Sequence, residues 1–173
     1  MAKRKRAKKR AKAGSQTEAS PLPPGVTLLH TLAGHSSAVM SVVFISQSGT
    51  LVSGGRDSTV KLWEADTGRL LRTFEGHTES VYNVAFSPQG GTLASGNANN
   101  TVKLWDADTG RVLRTLEGHT STVVSVAFSA QGKMLASGSV DNTVKLWNAD
   151  TGRLLRTLEG HTGRVDAIAF SPD

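Results

Sequence analysis

Serine, histidine and aspartate recur together along this chain, and in hydrolases that combination performs nucleophilic catalysis. His35, Ser53 and Asp57 lie within one segment, and the same three types return at the same spacing from His119 onward. An activated serine needs an adjacent base and donors for the oxyanion, and no Gly-x-Ser-x-Gly turn presents such a serine here. Near-copies of the whole set favour repeated architecture over one active site, so no catalytic residue is predicted.

The chain repeats with a period of 42 residues, which a search for internal repeats reveals before any other signal. Both the Gly-His pairs and the only tryptophans recur at this interval, at Gly34, Gly76, Gly118 and Gly160 and at Trp63, Trp105 and Trp147. Residues 76–117 and 118–159 are identical at 30 of 42 positions. Duplication of one segment explains that identity.

Each repeat contains four short runs that are typical of β-strands. In the first repeat, an alternating run rich in β-branched residues covers 39–44, and three further short runs follow at 51–53, 59–63 and 70–74, with turn residues between the runs. A glycine in each Ala-Asp-Thr-Gly-Arg segment suits a hairpin that needs a positive φ. Single outer and inner strands are also expected near Val26 to Leu32 and from Val165 to Phe170.

Several short motifs at fixed spacing carry a resemblance to a known family. They are the Gly-His pairs, the turn at Phe86-Ser87-Pro88, the Ser-Gly that ends each second run, and Val-Lys-Leu-Trp-Asp at 102–106. Together they resemble the WD-repeat (WD-40) β-propeller family over roughly residues 26–173. Only the middle repeat ends in Trp-Asp, because Glu64 and Asn148 follow the other two tryptophans.

The resemblance implies an all-β fold in which each repeat forms a propeller blade of four antiparallel strands. Three complete blades plus partial strands at both ends describe an incomplete or open propeller. The expected domains are a basic disordered tail and linker at 1–25 and a propeller segment at 26–173. Within that segment the blades fall approximately at 34–75, 76–117 and 118–159, with a partial blade at 160–173.

The resemblance also implies a structural role for the recurring polar residues. In each blade a histidine links a turn aspartate to a strand serine, and the serine accepts the indole N–H, which needs a partner when buried. The implied sets are His35, Ser53, Asp57 and Trp63, then His77, Ser95, Asn99 and Trp105, then His119, Ser137, Asp141 and Trp147. Asn99 can accept a hydrogen bond but lacks the aspartate charge, so the second blade is predicted to be the least stable.

Metal and phosphate sites are not predicted. Blades arranged around a ring would spread the histidines so that they cannot converge on one ion. The segment from Asp106 to Gly110 resembles a calcium loop but lacks the third acidic position and the distant glutamate. No cysteine is present, and no Gly-Lys-Ser/Thr follows Ser53-Gly54-Gly55, so no cofactor is expected.

The net charge of +6 comes from the N-terminus. Eight of the 20 basic residues lie within residues 3–12, which leaves 12 basic against 14 acidic residues, or about −2, in the remainder. The tail has no apolar core of a secretory signal, so cytoplasmic localisation is expected, or nuclear localisation if the tail is an import signal. Weak contact with a phosphate backbone or with anionic lipid, and a solvated tail with no partner, stay open.

Three blades are fewer than the four to eight with which propellers close. Blade faces and a strand edge would be left open, and self-association is one way of covering them. Three explanations remain: a fragment of a longer protein, a shortened product of repeat amplification, or chains that assemble into a ring. No run of apolar residues is long enough to span a membrane.

The resemblance implies that other proteins bind the face that carries the Gly-His turns. The repeats differ most at positions matched to this face, namely Met40, Arg56, Ser80, Tyr82, Thr122, Val124, Arg164 and Asp166. Variation of this kind is expected of a binding surface on a constant scaffold, and equally of surface drift. Tyr82, Arg56 and Arg164 are the best candidates, since tyrosine and arginine are favoured interface anchors.

The sequence therefore predicts a non-catalytic scaffold for protein–protein interaction that forms part of a larger propeller. A nucleic-acid-associated protein that uses the basic tail is the first alternative. A structural fragment of an amplified repeat array is the second.

Overall fold

The chain folds into three four-stranded antiparallel sheets in a computed structural model, which describes residues 22–172. The first blade contains β1 (Val39–Ile45), β2 (Thr50–Gly55), β3 (Val60–Glu64) and β4 (Leu70–Phe74). The second contains β5 (Val81–Phe86), β6 (Thr92–Asn97), β7 (Val102–Asp106) and β8 (Val112–Leu116). The third contains β9 (Val123–Phe128), β10 (Met134–Ser139), β11 (Val144–Asn148) and β12 (Leu154–Leu158). The predicted all-β architecture of three complete blades is confirmed, and strand order within each sheet follows the chain.

Each blade buries its apolar face against the next blade. Val81 and Val84, on the innermost strand of the second blade, pack against Val52, Val60 and Phe74 of the first blade. The residues of the second and third blades at matching positions form an equivalent cluster. The core therefore lies between sheets, and an isolated blade would leave both of its faces in water.

Glycines at the ends of the second strands let neighbouring blades approach closely. A Cβ on Gly54 would lie 2.8 Å from Cγ1 of Val81, and a Cβ on Gly138 would lie 2.9 Å from Cγ1 of Val165. No side chain larger than hydrogen fits at these two positions without moving the neighbour. The Ser-Gly motif thus reflects the packing distance between blades.

Polar contacts at the outer edge join each blade to the next. The guanidinium of Arg72 on β4 donates to the carbonyl oxygens of Asp108 and Thr109, at 2.6 and 2.9 Å, in a hairpin turn of the second blade. Arg114 on β8 donates in the same way to the carbonyl of Asp150, at 3.0 Å. The outer strands thereby fix the spacing between successive hairpin turns.

A second set of polar contacts lies at the inner edge. The hydroxyl of Ser41 on β1 accepts the N–H of Val84 at 3.2 Å, and Oδ1 of Asn83 on β5 accepts the N–H of Val126 at 2.9 Å. Ser125 on β9 repeats the arrangement. Each innermost strand therefore satisfies donors on the edge of the next, which would otherwise be open for pairing.

The two terminal segments that were expected to be strands are not strands. Within residues 22–172, neither Val26 to Leu32 nor Val165 to Phe170 is hydrogen-bonded into a sheet, because no other strand of its own blade is among the described residues. Both nevertheless contact the neighbouring blade. Nε2 of His30 lies 2.6 Å from the Asp66 carbonyl, and the N–H of Val165 donates to the Ser139 carbonyl at 3.0 Å.

The predicted tail of residues 1–25, with its possible phosphate contact through residues 3–12, lies almost wholly outside the described residues. Within residues 22–172 no helix is long and apolar enough to cross a membrane.

We predict that Arg72→Ala lowers the free energy of unfolding by about 1–2 kcal/mol, because two charge-assisted hydrogen bonds between blades are lost. Urea unfolding followed by tryptophan fluorescence measures the change. Arg153→Ala is the matched control, since the side chain of Arg153 makes no hydrogen bond within the part of the chain that the structure describes. Equal losses for the two variants would contradict the assignment.

Candidate functional site

In the first blade, the four residues implied by the sequence form one continuous chain of hydrogen bonds. The indole N–H of Trp63 donates to Oγ of Ser53 at 2.8 Å, and the same oxygen lies 2.7 Å from Nε2 of His35. Nδ1 of His35 lies 3.0 and 2.9 Å from the two carboxylate oxygens of Asp57. This series of hydrogen bonds extends from the core of the blade to the turn between β2 and β3.

The third blade brings together the equivalent four residues. Ser137 Oγ accepts from Trp147 at 2.8 Å and lies 2.7 Å from Nε2 of His119. Nδ1 of His119 lies 2.7 Å from one carboxylate oxygen of Asp141. The carboxylate also accepts the backbone N–H of Thr120, from the turn that begins with Gly-His. The network therefore ties the turn between blades to the turn within the blade.

The electrostatics of these networks favour a charged aspartate beside a histidine. Burial raises the pKa of Asp57, but hydrogen bonds from the Ser36 N–H, from Thr59 and from His35 outweigh it and lower the pKa to about 2. Burial likewise raises and hydrogen bonds lower the pKa of Asp141, and the net change is downward. Burial lowers the pKa of His119 against the opposing effect of Asp141.

These geometries do not present a nucleophile. The Ser137 side chain is wholly buried, and its oxygen is already engaged by an indole and an imidazole. A catalytic serine must reach a substrate carbonyl beside an oxyanion hole, which an oxygen enclosed in this way cannot do. The Ser-His-Asp sets are structural hydrogen-bond networks within the blades. Among residues 22–172, no group of three or more histidine, aspartate or glutamate side chains is placed to hold a metal ion.

The second blade departs from this pattern more than the sequence predicted. Trp105 donates to Ser95 Oγ at 3.0 Å, and His77 Nε2 lies 2.9 Å from the same oxygen. Asn99, however, does not reach His77. Its amide donates to Thr78 and its carbonyl oxygen accepts from Thr101, so Nδ1 of His77 is buried and has no hydrogen-bond partner within residues 22–172.

The residue two positions before the aspartate or asparagine also differs between the blades. Gly55 occupies that position in the first blade, where a Cβ would lie 2.8 Å from Nδ1 of His35. Ser139 occupies it in the third blade, and there the histidine contacts one carboxylate oxygen and not two. Asn97 carries a larger side chain in the second blade, with its Oδ1 also buried and unpartnered. The second blade therefore differs from the other two both at this position and in having Asn99 in place of an aspartate.

The break changes the titration of the second blade. Burial, followed by the charge of Lys103, lowers the pKa of His77 to about 4, with no carboxylate to oppose it. The unfolded chain, with an ordinary histidine pKa near 6.5, then binds more protons than the folded chain between about pH 4 and pH 6.5. Stability therefore rises with pH across this window and is lost as the pH falls through it.

The face that carries the Gly-His turns contains the variable residues singled out from the sequence. Met40, Tyr82 and Val124 are each the extra residue of a β-bulge, since the register shifts between Val39 and Ser41 and at the matching places in the other blades. The Met40 side chain is 37% exposed, and the other two are half-buried. Bulges re-aim side chains and recur beside functional sites.

The other candidate residues on this face divide into two groups. Ser80 and Thr122 use their hydroxyls between blades, donating to the carbonyls of Arg56 and Ala98 at 3.3 and 3.4 Å. The side chains of Arg56, Arg164 and Asp166 are exposed, and the last two are paired with each other. The structure therefore assigns structural contacts to Ser80 and Thr122 and leaves Arg56 open to solvent.

Comparison with known proteins gives the family. The family model "WD domain, G-beta repeat" matches residues 26–64, 68–106, 110–148 and 152–173. The chain belongs to the WD40 repeat family. Repeats of this family typically mediate contacts between proteins, and the family is generally non-catalytic.

Three individual proteins are similar to this chain to different extents. The chain is 42% identical over 43 residues to the WD repeat-containing protein 89 homolog of Dictyostelium discoideum, which is 25% of this chain and 12% of that protein. It is similar to the structure of U3-55K, with TM-score 0.77 and 31% identity over 81% of this chain and 45% of that one. It is also similar to the computationally designed Ika4 protein, with TM-score 0.74 and 39% identity over 84% of this chain and 87% of that one. The chain thus spans less than half of the two natural relatives.

We predict that restoring the third-blade residues repairs the WD40 network of the second blade. Asn97→Ser combined with Asn99→Asp should raise the free energy of unfolding at pH 5 by roughly 1–3 kcal/mol, because His77 gains a charged partner. Denaturant unfolding between pH 4 and pH 7 measures this, and the pH dependence should flatten. Asn99→Asp alone is the control and should give less, so an equal gain from the single change would contradict the role of Asn97.

We also predict that Ser137→Ala lowers the free energy of unfolding by roughly 2–4 kcal/mol, because an indole N–H and an imidazole nitrogen both lose their buried partner. Thermal and denaturant unfolding report the loss. Ser36→Ala is the matched control, since that exposed hydroxyl makes no hydrogen bond within residues 22–172. A loss no larger than in the control would show that the network contributes little.

Proposed function

We propose that this chain is a protein-interaction scaffold whose partner binds the face of the Gly-His turns. One observation supports the site above the others: the most variable positions of the inner strands, Met40, Tyr82 and Val124, coincide with β-bulges. A bulge aims a side chain out of the sheet at a cost in strand pairing, and here it recurs where the side chain differs in every blade. The constant networks beneath provide a rigid base.

Chemistry on this face favours a polypeptide partner. Met40 and Tyr82 are of residue types that interfaces favour, the first adaptable and the second rigid, and Val124 adds an apolar side chain on the third blade. Arg56 is exposed and can donate to carbonyl or carboxylate groups of a partner. Ser80 and Thr122 hold the blades together and are not proposed as partner contacts.

The proposal is tested by changing the three bulge residues together. The variant Met40→Ser, Tyr82→Ser and Val124→Ser should keep the fold, because none of these side chains belongs to the fully buried core. Affinity capture from a lysate with the 173-residue chain, followed by mass spectrometry, should identify partners that the variant retains at least tenfold less. Binding of one identified partner is then measured with purified proteins.

A matched control lies on the opposite face. Gln47, Gln89 and Gln131 occupy equivalent positions in the three turns between first and second strands, and all three are exposed. Changing them together to alanine should leave partner binding unaltered. Loss of binding in the glutamine variant with full binding in the bulge variant would move the site to the other face and overturn the proposal.

A further inference from the structure

A groove runs between the second and third blades, on the side opposite the Gly-His turns. At one end, the turns that follow β5 and β9 enclose a cavity of about 320 Å³. At the other end, a cavity of about 300 Å³ opens beside Leu113 and Arg114 on β8. The two cavities share Thr92, Ala149 and Asp150, so they form one continuous inter-blade groove from the turns to the outer edge. Both blades that form it are complete four-stranded sheets.

Lys133 brings a positive charge to the inter-blade groove at the end that lies among the turns. Its side chain is exposed, and its ammonium group makes neither a hydrogen bond nor an ion pair within residues 22–172. The other three lysines of that range, Lys61, Lys103 and Lys145, each donate to a threonine on the outer strand of their own blade. The ammonium group of Lys133 is therefore available to an anionic group in the groove.

Arg114 provides a second positive charge at the outer end of the groove. Its Nε donates to the Asp150 carbonyl at 3.0 Å, and its two terminal nitrogens make no hydrogen bond within the part of the chain that the structure describes. The equivalent Arg72 uses both terminal nitrogens, on carbonyls of the second blade's hairpin turn. The guanidinium of Arg114 is thus held in place by Nε and keeps the pair of donors that binds a carboxylate.

The equivalent junction between the first and second blades does not carry this charge. Gly91 stands where Lys133 stands, and Asp106 stands where Asn148 stands. Each difference adds one unit of positive charge to the junction between the second and third blades. Asn148 still accepts a backbone N–H of its hairpin turn, as Asp106 does, so the turn is retained without the negative charge. The two junctions therefore share their packing and differ in electrostatics.

Apolar side chains accompany both cations, and one carboxylate is shared by the two ends of the groove. Leu113, next to Arg114, is 51% exposed and has no partner residue on β7, because the register shifts there. Phe128 is half-buried and lines the end that contains Lys133. The exposed carboxylate of Asp150 would repel successive phosphates of a nucleic acid, whereas it can accept a backbone N–H of a peptide. The groove therefore favours a peptide over a nucleic acid.

We propose that the inter-blade groove binds an extended acidic peptide of a partner protein. One carboxylate of the peptide accepts from Lys133, and another accepts from the terminal nitrogens of Arg114. Aliphatic side chains of the peptide pack on Phe128 and Leu113, and Asp150 accepts a backbone N–H. Because the groove lies away from the face of the Gly-His turns, this site is independent of the partner site proposed there.

The first test measures binding of a defined peptide to the 173-residue chain by fluorescence anisotropy. A fluorescein-labelled peptide of three Glu-Glu-Leu units should bind, and the same peptide with glutamine in place of glutamate should bind about tenfold more weakly, because it cannot pair with the two cations. Lys133→Gln and Arg114→Gln should each weaken binding about threefold to fivefold, as expected for partly exposed charge pairs. An affinity that Lys133→Gln leaves unchanged overturns the proposal.

Matched controls separate the groove from net charge and from weakened packing between blades. Arg56→Gln removes one positive charge from an exposed site on the opposite face, and Arg72→Gln breaks the equivalent contact between the first and second blades. Both variants should bind the peptide as the unchanged chain does, and circular dichroism should be the same for all four variants. A loss in Arg56→Gln as large as that in Lys133→Gln would show that net charge alone attracts the peptide, and the proposal would then be wrong.

Cross-linking locates the bound peptide, because the basic residues 3–12 also attract an acidic probe. A water-soluble carbodiimide joins a peptide carboxylate to a neighbouring lysine amine as an amide. Mass spectrometry should find this adduct on Lys133, and an excess of a nine-nucleotide oligouridylate should not prevent it. Adducts confined to the lysines of residues 3–12 would assign binding to that segment, and loss of the Lys133 adduct to oligouridylate would assign the groove to nucleic acid. Either result overturns the proposal.

Discussion

A four-stranded blade cannot bury both of its own faces, and everything else in this structure follows from that constraint. The apolar residues of each blade find their partners in the next blade, so the core is a series of interfaces and not a single interior. Close approach then demands glycine where the second strand meets the neighbouring valine, as at Gly54. The sequence repeats every 42 residues because the same interface between blades is formed by each successive pair. Since each blade packs only on its neighbours, stability in such an array is expected to depend on nearest-neighbour contacts.

The polar residues solve a second problem that this packing creates. A tryptophan large enough to fill the space between blades brings an N–H into the core, and a buried donor without a partner is costly. Ser53 and Ser137 accept that N–H. In these two blades the histidine then bonds to the serine, and the aspartate bonds to the histidine and to a backbone N–H of the turn. The residue types of a hydrolase therefore occur here for reasons of burial. In the second blade, where Asn99 replaces the aspartate, Nδ1 of His77 is buried and has no hydrogen-bond partner among the described residues.

Repeat length, strand number and the fold could be predicted from the sequence because they depend on motifs that recur in every copy. The contacts that differ between copies could not. The sequence indicated that Asn99 could accept a hydrogen bond from His77, and it does not, because its amide is engaged by Thr78 and Thr101 instead. Gly55, Asn97 and Ser139 occupy one equivalent position in the three repeats, so the sequence shows that this position varies. Only the structure shows that it is close to the histidine, since a Cβ on Gly55 would lie 2.8 Å from Nδ1 of His35. The terminal segments failed as strands for a related reason: strand propensity at Val165 is local, whereas a strand also needs hydrogen-bonded neighbours in its sheet.

The division between constant and variable positions bears on how such a chain can carry a function. Positions that join blades, such as Arg72 and Ser41, cannot change freely without weakening two blades at once. The bulge residues contribute no pair to the ladder, so Met40 and Tyr82 can differ without disturbing the register on either side. An interaction surface built there can therefore vary without altering the interfaces that hold the array together.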